Sequence, residues 1–228
     1  MLINYLAYVK SPARLFAAVA VACLLAAGSV AASLPPGLSQ PGDKLFAIFR
    51  NGEEIGSHRI AVRSIDDVTE IRTEIDIRVT FAFLTLYDYS HRAIETWRGA
   101  RLVSLKAETD NDGKPEFVDL EGGADGYTGT SSEGRLDLPP SVGFTSYWNP
   151  AYLKSGQWLD TQDGKLLSMD IEPRGVETID LRGNSVPAER FHAKADDGAE
   201  VDLWYAADGL ARMRFRAFDG SILDYILQ

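Results

Sequence analysis

Glu70-Ile71-Arg72-Thr73-Glu74-Ile75-Asp76-Ile77-Arg78-Val79-Thr80-Phe81 alternates without a break. Ile71, Thr73, Ile75, Ile77, Val79 and Phe81 hold every second position, and charged or hydroxyl side chains fill the gaps. A period of two sends the first set to one face of a strand and the second to the other. This is a half-buried strand with a solvated outer face. Turn pairs surround it: Asn51-Gly52, Asp112-Gly113, Asp125-Gly126, Asp163-Gly164, Asp197-Gly198, Asp208-Gly209 and Asp219-Gly220. Each tolerates positive φ, and so many hairpin signals predict an antiparallel meander. The expected fold class is all-β: one meander of about 10–12 strands, curled into a barrel or half-barrel because a flat sheet of that size is unfavourable.

The C-terminal hairpins test the register. A three-residue loop Ala207-Asp208-Gly209 sets Leu203 against Met213, Val201 against Phe215 and Tyr205 against Ala211. It also sets Asp202 against Arg214 and Glu200 against Arg216. The same loop at Phe218-Asp219-Gly220 pairs Phe215 with Leu223, Met213 with Tyr225 and Arg214 with Asp224. Arg212, Arg214 and Arg216 are therefore expected on a charge-paired outer face, with an anion site as the alternative.

One stretch departs from the strand pattern. Leu138-Pro139-Pro140 opens a loop that runs through Tyr147-Trp148-Asn149-Pro150. Asn149 can cap a helix with Pro150 at its first position, which predicts a short helix over 150–155. The segment would cover one end of the curved sheet.

Three regions are expected: a signal peptide over 1–32, a linker over 33–43, and a single β-rich domain over 44–228. Lys10 and Arg14 form a basic flank, Leu15 to Ala32 is uncharged and Ala-rich, and small residues end the run. This is the anatomy of a cleaved secretory signal, which implies a periplasmic protein. An uncleaved N-terminal anchor and lipidation at Cys23 are the alternatives. Cleavage removes Cys23, the one cysteine, and leaves a cysteine-free mature chain.

The net charge is −10, with 33 acidic against 23 basic residues. That balance argues against nucleic acid as a partner. The three histidines lie outside any H-x-H or H-E-x-x-H spacing, so no metal or cofactor is called for. Glu108 to Asp119 approaches calcium-loop spacing. However, Glu stands at its first ligand position, Asp at its last, and strand patterns flank it, so it reads as an acidic hairpin. Asp160 and Asp163 are expected to organise a turn through side-chain-to-backbone bonds. No nucleophile elbow, P-loop or dinucleotide fingerprint is present, and no catalytic residue is assigned.

Two segments carry a resemblance: Thr145-Ser146-Tyr147-Trp148-Asn149-Pro150, and Leu159-Asp160-Thr161-Gln162-Asp163-Gly164. With Ile55-Gly56-Ser57-His58, Glu95-Thr96-Trp97-Arg98 and Val201-Asp202-Leu203-Trp204-Tyr205, the chain resembles an uncharacterised bacterial exported family, domain-of-unknown-function family 6134. The resemblance implies a β-rich envelope protein and supplies no activity. The family pattern has Asp-Gly after Trp-Arg, where this chain has Gly99-Ala100.

The residues favour a non-enzymatic binding or accessory protein that holds a lipid or other hydrophobic small molecule on a concave sheet face. Ile75, Ile77, Val79, Phe81, Tyr87, Tyr89, Trp97 and Trp148 are candidate lining residues. The ligand-contacting set is expected to be His91, Tyr87, Tyr89, Trp97, Tyr147, Trp148 and Asn149. The alternatives are that these residues fill a packed core, that the protein is an envelope interaction or assembly factor with an unidentified protein partner, or that it is an enzyme using His58 and His91.

Overall fold

The computed structural model describes residues 33–217 and 219–228, so the expected signal peptide lies outside the described residues. One sheet of 15 strands forms the molecule. The first eight strands are β1 (Gly42–Arg50), β2 (Glu53–Ile65), β3 (Val68–Phe81), β4 (Leu84–Arg98), β5 (Arg101–Asn111), β6 (Lys114–Gly122), β7 (Tyr127–Ser131) and β8 (Gly134–Leu138). The rest are β9 (Gly143–Phe144), β10 (Gln157–Leu159), β11 (Leu166–Leu181), β12 (Asn184–Ala195), β13 (Glu200–Ala206), β14 (Gly209–Arg216) and β15 (Ile222–Leu227). The extra strands beyond the expected 10–12 are mostly short ones, β7 to β10, too brief for alternation to announce them.

Sheet order runs β8 to β1, then β15 down to β9. Every neighbouring pair is antiparallel except β9 with β10. β1 pairs β15, which joins the two ends of the meander. β8 and β9 remain as edges, so the sheet is not closed. It curls nonetheless, because Tyr89 of β4 and Phe215 of β14 line one interior cavity.

Six of the seven turn pairs fall wholly between strands, and in the seventh, Asp208-Gly209, the glycine opens β14. Asn51-Gly52 and Asp112-Gly113 have both residues at positive φ, as a type I′ turn requires. Gly99 stands at φ 58° in the two-residue turn before Ala100, so the departure from the family pattern still makes a hairpin.

The register of β14 on β15 is the expected one. On β13, Leu203 opposes Met213 and Val201 opposes Phe215, also as expected, but Tyr205 meets Leu210 rather than Ala211. A bulge between Trp204 and Tyr205 absorbs one residue inside the ladder. The arginine row is paired at Arg212 and Arg214 only, because Glu200, expected beside Arg216, pairs with Lys194 and Arg216 lines the cavity instead. Arg212 and Arg214 both hold Asp224, while Asp202 turns to Arg190 and His192. Trp204 explains the change: Arg190, Arg212 and Arg214 all lie over its ring, and its indole N–H donates to Glu177.

Two local expectations need correction. The helix is a single 3-10 turn over Pro150–Lys154, capped by the Asn149 side chain on the Ala151 N–H. The stretch 33–43 is no free linker. Leu34 and Leu38 pack on the core, and β1 begins at Gly42. Apolar side chains that can reach a core do so, whatever the Pro and Gly beside them suggest.

Candidate functional site

The inward rows of the sheet build two different ends. At one end, the loop between β8 and β10 fills the interior. Trp148, Trp158 and Phe144 are fully buried there, with Tyr152 set edge-on to each. Asp163-Gly164 lets this insert dock tightly, since a Cβ on Gly164 would overlap the Ser131 side chain. Glu95 lies at the centre, 1% exposed. Its two carboxylate oxygens accept from the Trp97 and Trp148 indoles at 3.0 and 2.9 Å. Burial pushes its pKa up, and the two indole donors oppose that. Glu95 follows Ala93 and precedes Trp97 at inward parity, so the alternation of β4 already marked it. It was missed because a charged residue is normally counted to the outer face.

At the other end the insert stops short and leaves a cavity of about 530 Å³. Its apolar wall comes from Ile75, Ile77 and Val79 of β3, Tyr87 and Tyr89 of β4, and Met213, Phe215, Leu223 and Tyr225 of the C-terminal strands. Tyr147 forms the boundary. Its ring packs on Trp158 and Phe215, and its carbonyl accepts from the Tyr205 hydroxyl at 2.7 Å. Its φ of 57° is costly for a residue with a Cβ and is held by those contacts.

His58 and His91 stand in one row across the sheet, each opposite Ile75. Both line the cavity and are 2% exposed. His91 Nδ1 lies 2.9 Å from the Thr109 hydroxyl, which itself donates to the Gln162 carbonyl at 3.1 Å. A hydroxyl has one proton, so His91 must donate from Nδ1, leaving Nε2 as an acceptor. Among the described residues, neither nitrogen of His58 has a hydrogen-bond partner. Burial, with a smaller contribution from His91, pushes His58 down to about 3. Burial, and then Arg92, lowers His91 to about 4. Both rings are neutral at pH 7.

Polar groups of the insert close the cavity floor. The Tyr89 hydroxyl donates to Gln162 Oε1 at 2.8 Å, and Tyr87 donates to Asn111. Asp160 accepts from the Gln162 N–H and the Thr145 hydroxyl, and burial pushes its pKa up to about 6. Asp163 accepts from the Lys165 N–H, so both acids organise the turn as expected. Arg50 and Arg216 lie at the mouth. Arg50 is paired with Asp219, while Arg216 forms no ion pair among the described residues.

The structure thus brings His91, Tyr87, Tyr89 and Tyr147 to one cavity, together with Ile75, Ile77 and Val79. It separates Trp97, Trp148 and Asn149 from it. Trp97 and Trp148 clamp Glu95 in the filled end, and Asn149 caps the 3-10 turn. None of the three is among the residues that line this cavity, and Trp148 borders a smaller one instead. The Phe81 backbone pairs with Leu84.

Residues 46–228 match the family described as Domain of unknown function (DUF6134). The chain belongs to that family. No curated protein matches it. A crystal structure of a β-barrel-like protein of domain of unknown function DUF1849 from Brucella abortus is similar in fold, with a TM-score of 0.58 at 11% identity. The match covers 82% of this chain and 95% of that one. It supports the barrel-like architecture of this DUF6134 protein.

Proposed function

We propose that this DUF6134 protein is an exported, periplasmic binding protein for an apolar or amphipathic small molecule. The observation that carries the reading is the 530 Å³ cavity, apolar along its walls, in a sheet whose other end is largely filled by the insert. Ligand sites of roughly 300–1,000 Å³ with apolar walls and a few convergent polar groups are the usual form of a small-molecule site. The neutral histidines define the ligand's polar chemistry. A hydroxyl or a protonated acid can donate to His91 Nε2, and His58 offers a donor and an acceptor. Neither ring can neutralise a buried carboxylate. An anionic head therefore belongs at the mouth, beside Arg216, with the apolar tail inside. The export part of the proposal rests on the leader pattern from Lys10 to Ala32.

Acid–base catalysis is the weaker reading. His58 has no group to orient it, and a base poised for catalysis needs a pKa nearer the working pH than 3 or 4.

Native mass spectrometry of protein purified from the envelope tests the reading. Co-purified amphiphile, displaced by Ile75→Trp, is the expected result. Protein that carries no ligand and takes up no uncharged naphthylamine probe would overturn it. The same spectrum reads the mature N-terminus, where cleavage near Ala32 is expected; an intact leader would overturn cleavage in favour of an N-terminal anchor, and recovery from the cytoplasm alone would overturn export.

A further inference from the structure

The hairpin of β3 and β4 outgrows the sheet. On the β2 side its last paired residue is Ile77, opposite Gly56. On the β5 side the ladder ends at Tyr89, with one further bond from the Asp112 N–H to the Asp88 carbonyl. Residues 79–87 therefore project as a two-stranded finger, held by Val79 opposite Tyr87, Thr80 opposite Thr85 and Phe81 opposite Leu84. Its tip is apolar and bare. Phe83 is 94% exposed, Leu84 59% and Leu86 60%. At its base, Arg78 and Asp88 pair with each other at 2.7 Å, which leaves the collar without net charge. Val79 and Tyr87, the first pair of the finger, also line the cavity.

We propose that this finger inserts into the surface of a lipid bilayer. Three side chains on a narrow projection are too little surface for a stable protein partner, which needs about 800 Å² from each side. They suit a shallow, reversible anchor, because a membrane interface accepts apolar side chains with no matching shape. The continuity of finger and cavity wall adds a second part, which rests on the binding reading above: an amphiphile leaving the bilayer reaches the cavity along Val79 and Tyr87.

The test uses the full chain with Phe83→Trp. All four native tryptophans, Trp97, Trp148, Trp158 and Trp204, are buried away from the lipid, so the emission of the variant less that of the parent reports on the tip. Vesicles of equal parts phosphatidylethanolamine and phosphatidylglycerol, with brominated acyl chains, should shift its emission to the blue and quench it. The parent protein should be unaffected. Emission that stays solvent-like with vesicles present would overturn the proposal. A blue shift that rises with protein concentration and needs no vesicles would also overturn it, because the tip would then meet a second copy. The triple variant Phe83→Ser, Leu84→Ser, Leu86→Ser should transfer a fluorescent fatty acid from vesicles roughly tenfold more slowly or worse, at unchanged final occupancy. Quenching without any fatty-acid uptake would keep the finger and sink the cavity reading. Uptake at the parent rate in the triple variant would do the reverse.

Discussion

The two ends of the curled sheet are built from the same strands and differ in what fills them. On β4, Trp97 and Glu95 meet the insert, and the buried carboxylate is answered: two indoles for two carboxylate oxygens. Four to six residues earlier, His91 and Tyr89 face open volume. On β2, across β3 from them, His58 has no partner for either nitrogen among the described residues. At one end the buried carboxylate is satisfied within the chain, and at the other a buried imidazole is left unsatisfied. An unsatisfied buried imidazole costs stability, about 1–3 kcal/mol for the polar group alone. Carrying that cost beside a cavity is what a site does and a core does not.

The largest expected effect is at the filled end. Glu95→Leu strands two buried indole N–H groups and should lower stability by roughly 3–5 kcal/mol, read as a fall in the urea midpoint. A loss under about 1 kcal/mol would mean that the clamp is not what holds the insert. Next comes Ile75→Trp, which fills the space between the two histidines. Probe binding should fall at least about tenfold, with stability within roughly 1.5 kcal/mol of the parent, because there is room for the ring. Undiminished binding would place the ligand elsewhere.

The third prediction concerns pH. Both histidines have folded pKa values below the ordinary 6.5. Their contribution to stability is complete above pH 6.5 and is lost as pH falls towards 4 for His91 and 3 for His58. His58→Leu removes one of these groups and no hydrogen bond. It should leave stability at pH 7.5 the same or higher by about 1 kcal/mol, and shrink the loss between pH 6.5 and 4. A variant as acid-labile as the parent would break the contrast between the ends. The smallest effect is at Asp160, whose sign is opposite. Its folded pKa, near 6, lies above the ordinary 3.8, so its contribution is complete below pH 3.8 and lost as pH rises through 6. Asp160→Asn keeps an acceptor for Gln162 and Thr145. It should gain about 1 kcal/mol at pH 7.5 relative to the parent and nothing at pH 3.5. Thermal melts at the two pH values separate these outcomes.

Much of the fold was legible because the side-chain period of a strand is fixed. Ile71 to Phe81 announced β3, and Leu203, Val201 and Met213 announced the register of the C-terminal hairpins. The bulge at Tyr205 was not legible, since an extra residue inside a ladder leaves no mark on alternation. Within the cavity, Tyr87, Tyr89 and His91 were marked by shared parity on one strand. Trp97 shares that parity, and the sequence could not tell that the insert ends between it and His91. The depth to which a loop fills a barrel depends on tertiary packing, and so does the length by which one hairpin outruns its neighbours. For the same reason nothing in the alternation marks Phe83 as an exposed tip.

The pairing of β1 with β15 has a consequence in time. Almost every other ladder joins strands that follow one another in the chain, and such hairpins can form as soon as both strands exist. β1 is the first strand made, and its second partner is the last six-residue strand, Ile222–Leu227. Until that strand emerges, Phe46 and Ile48 lack the neighbour that buries them, and the two halves of the meander have no seam. The chain thus grows as two sheets, and they are joined when β15 arrives.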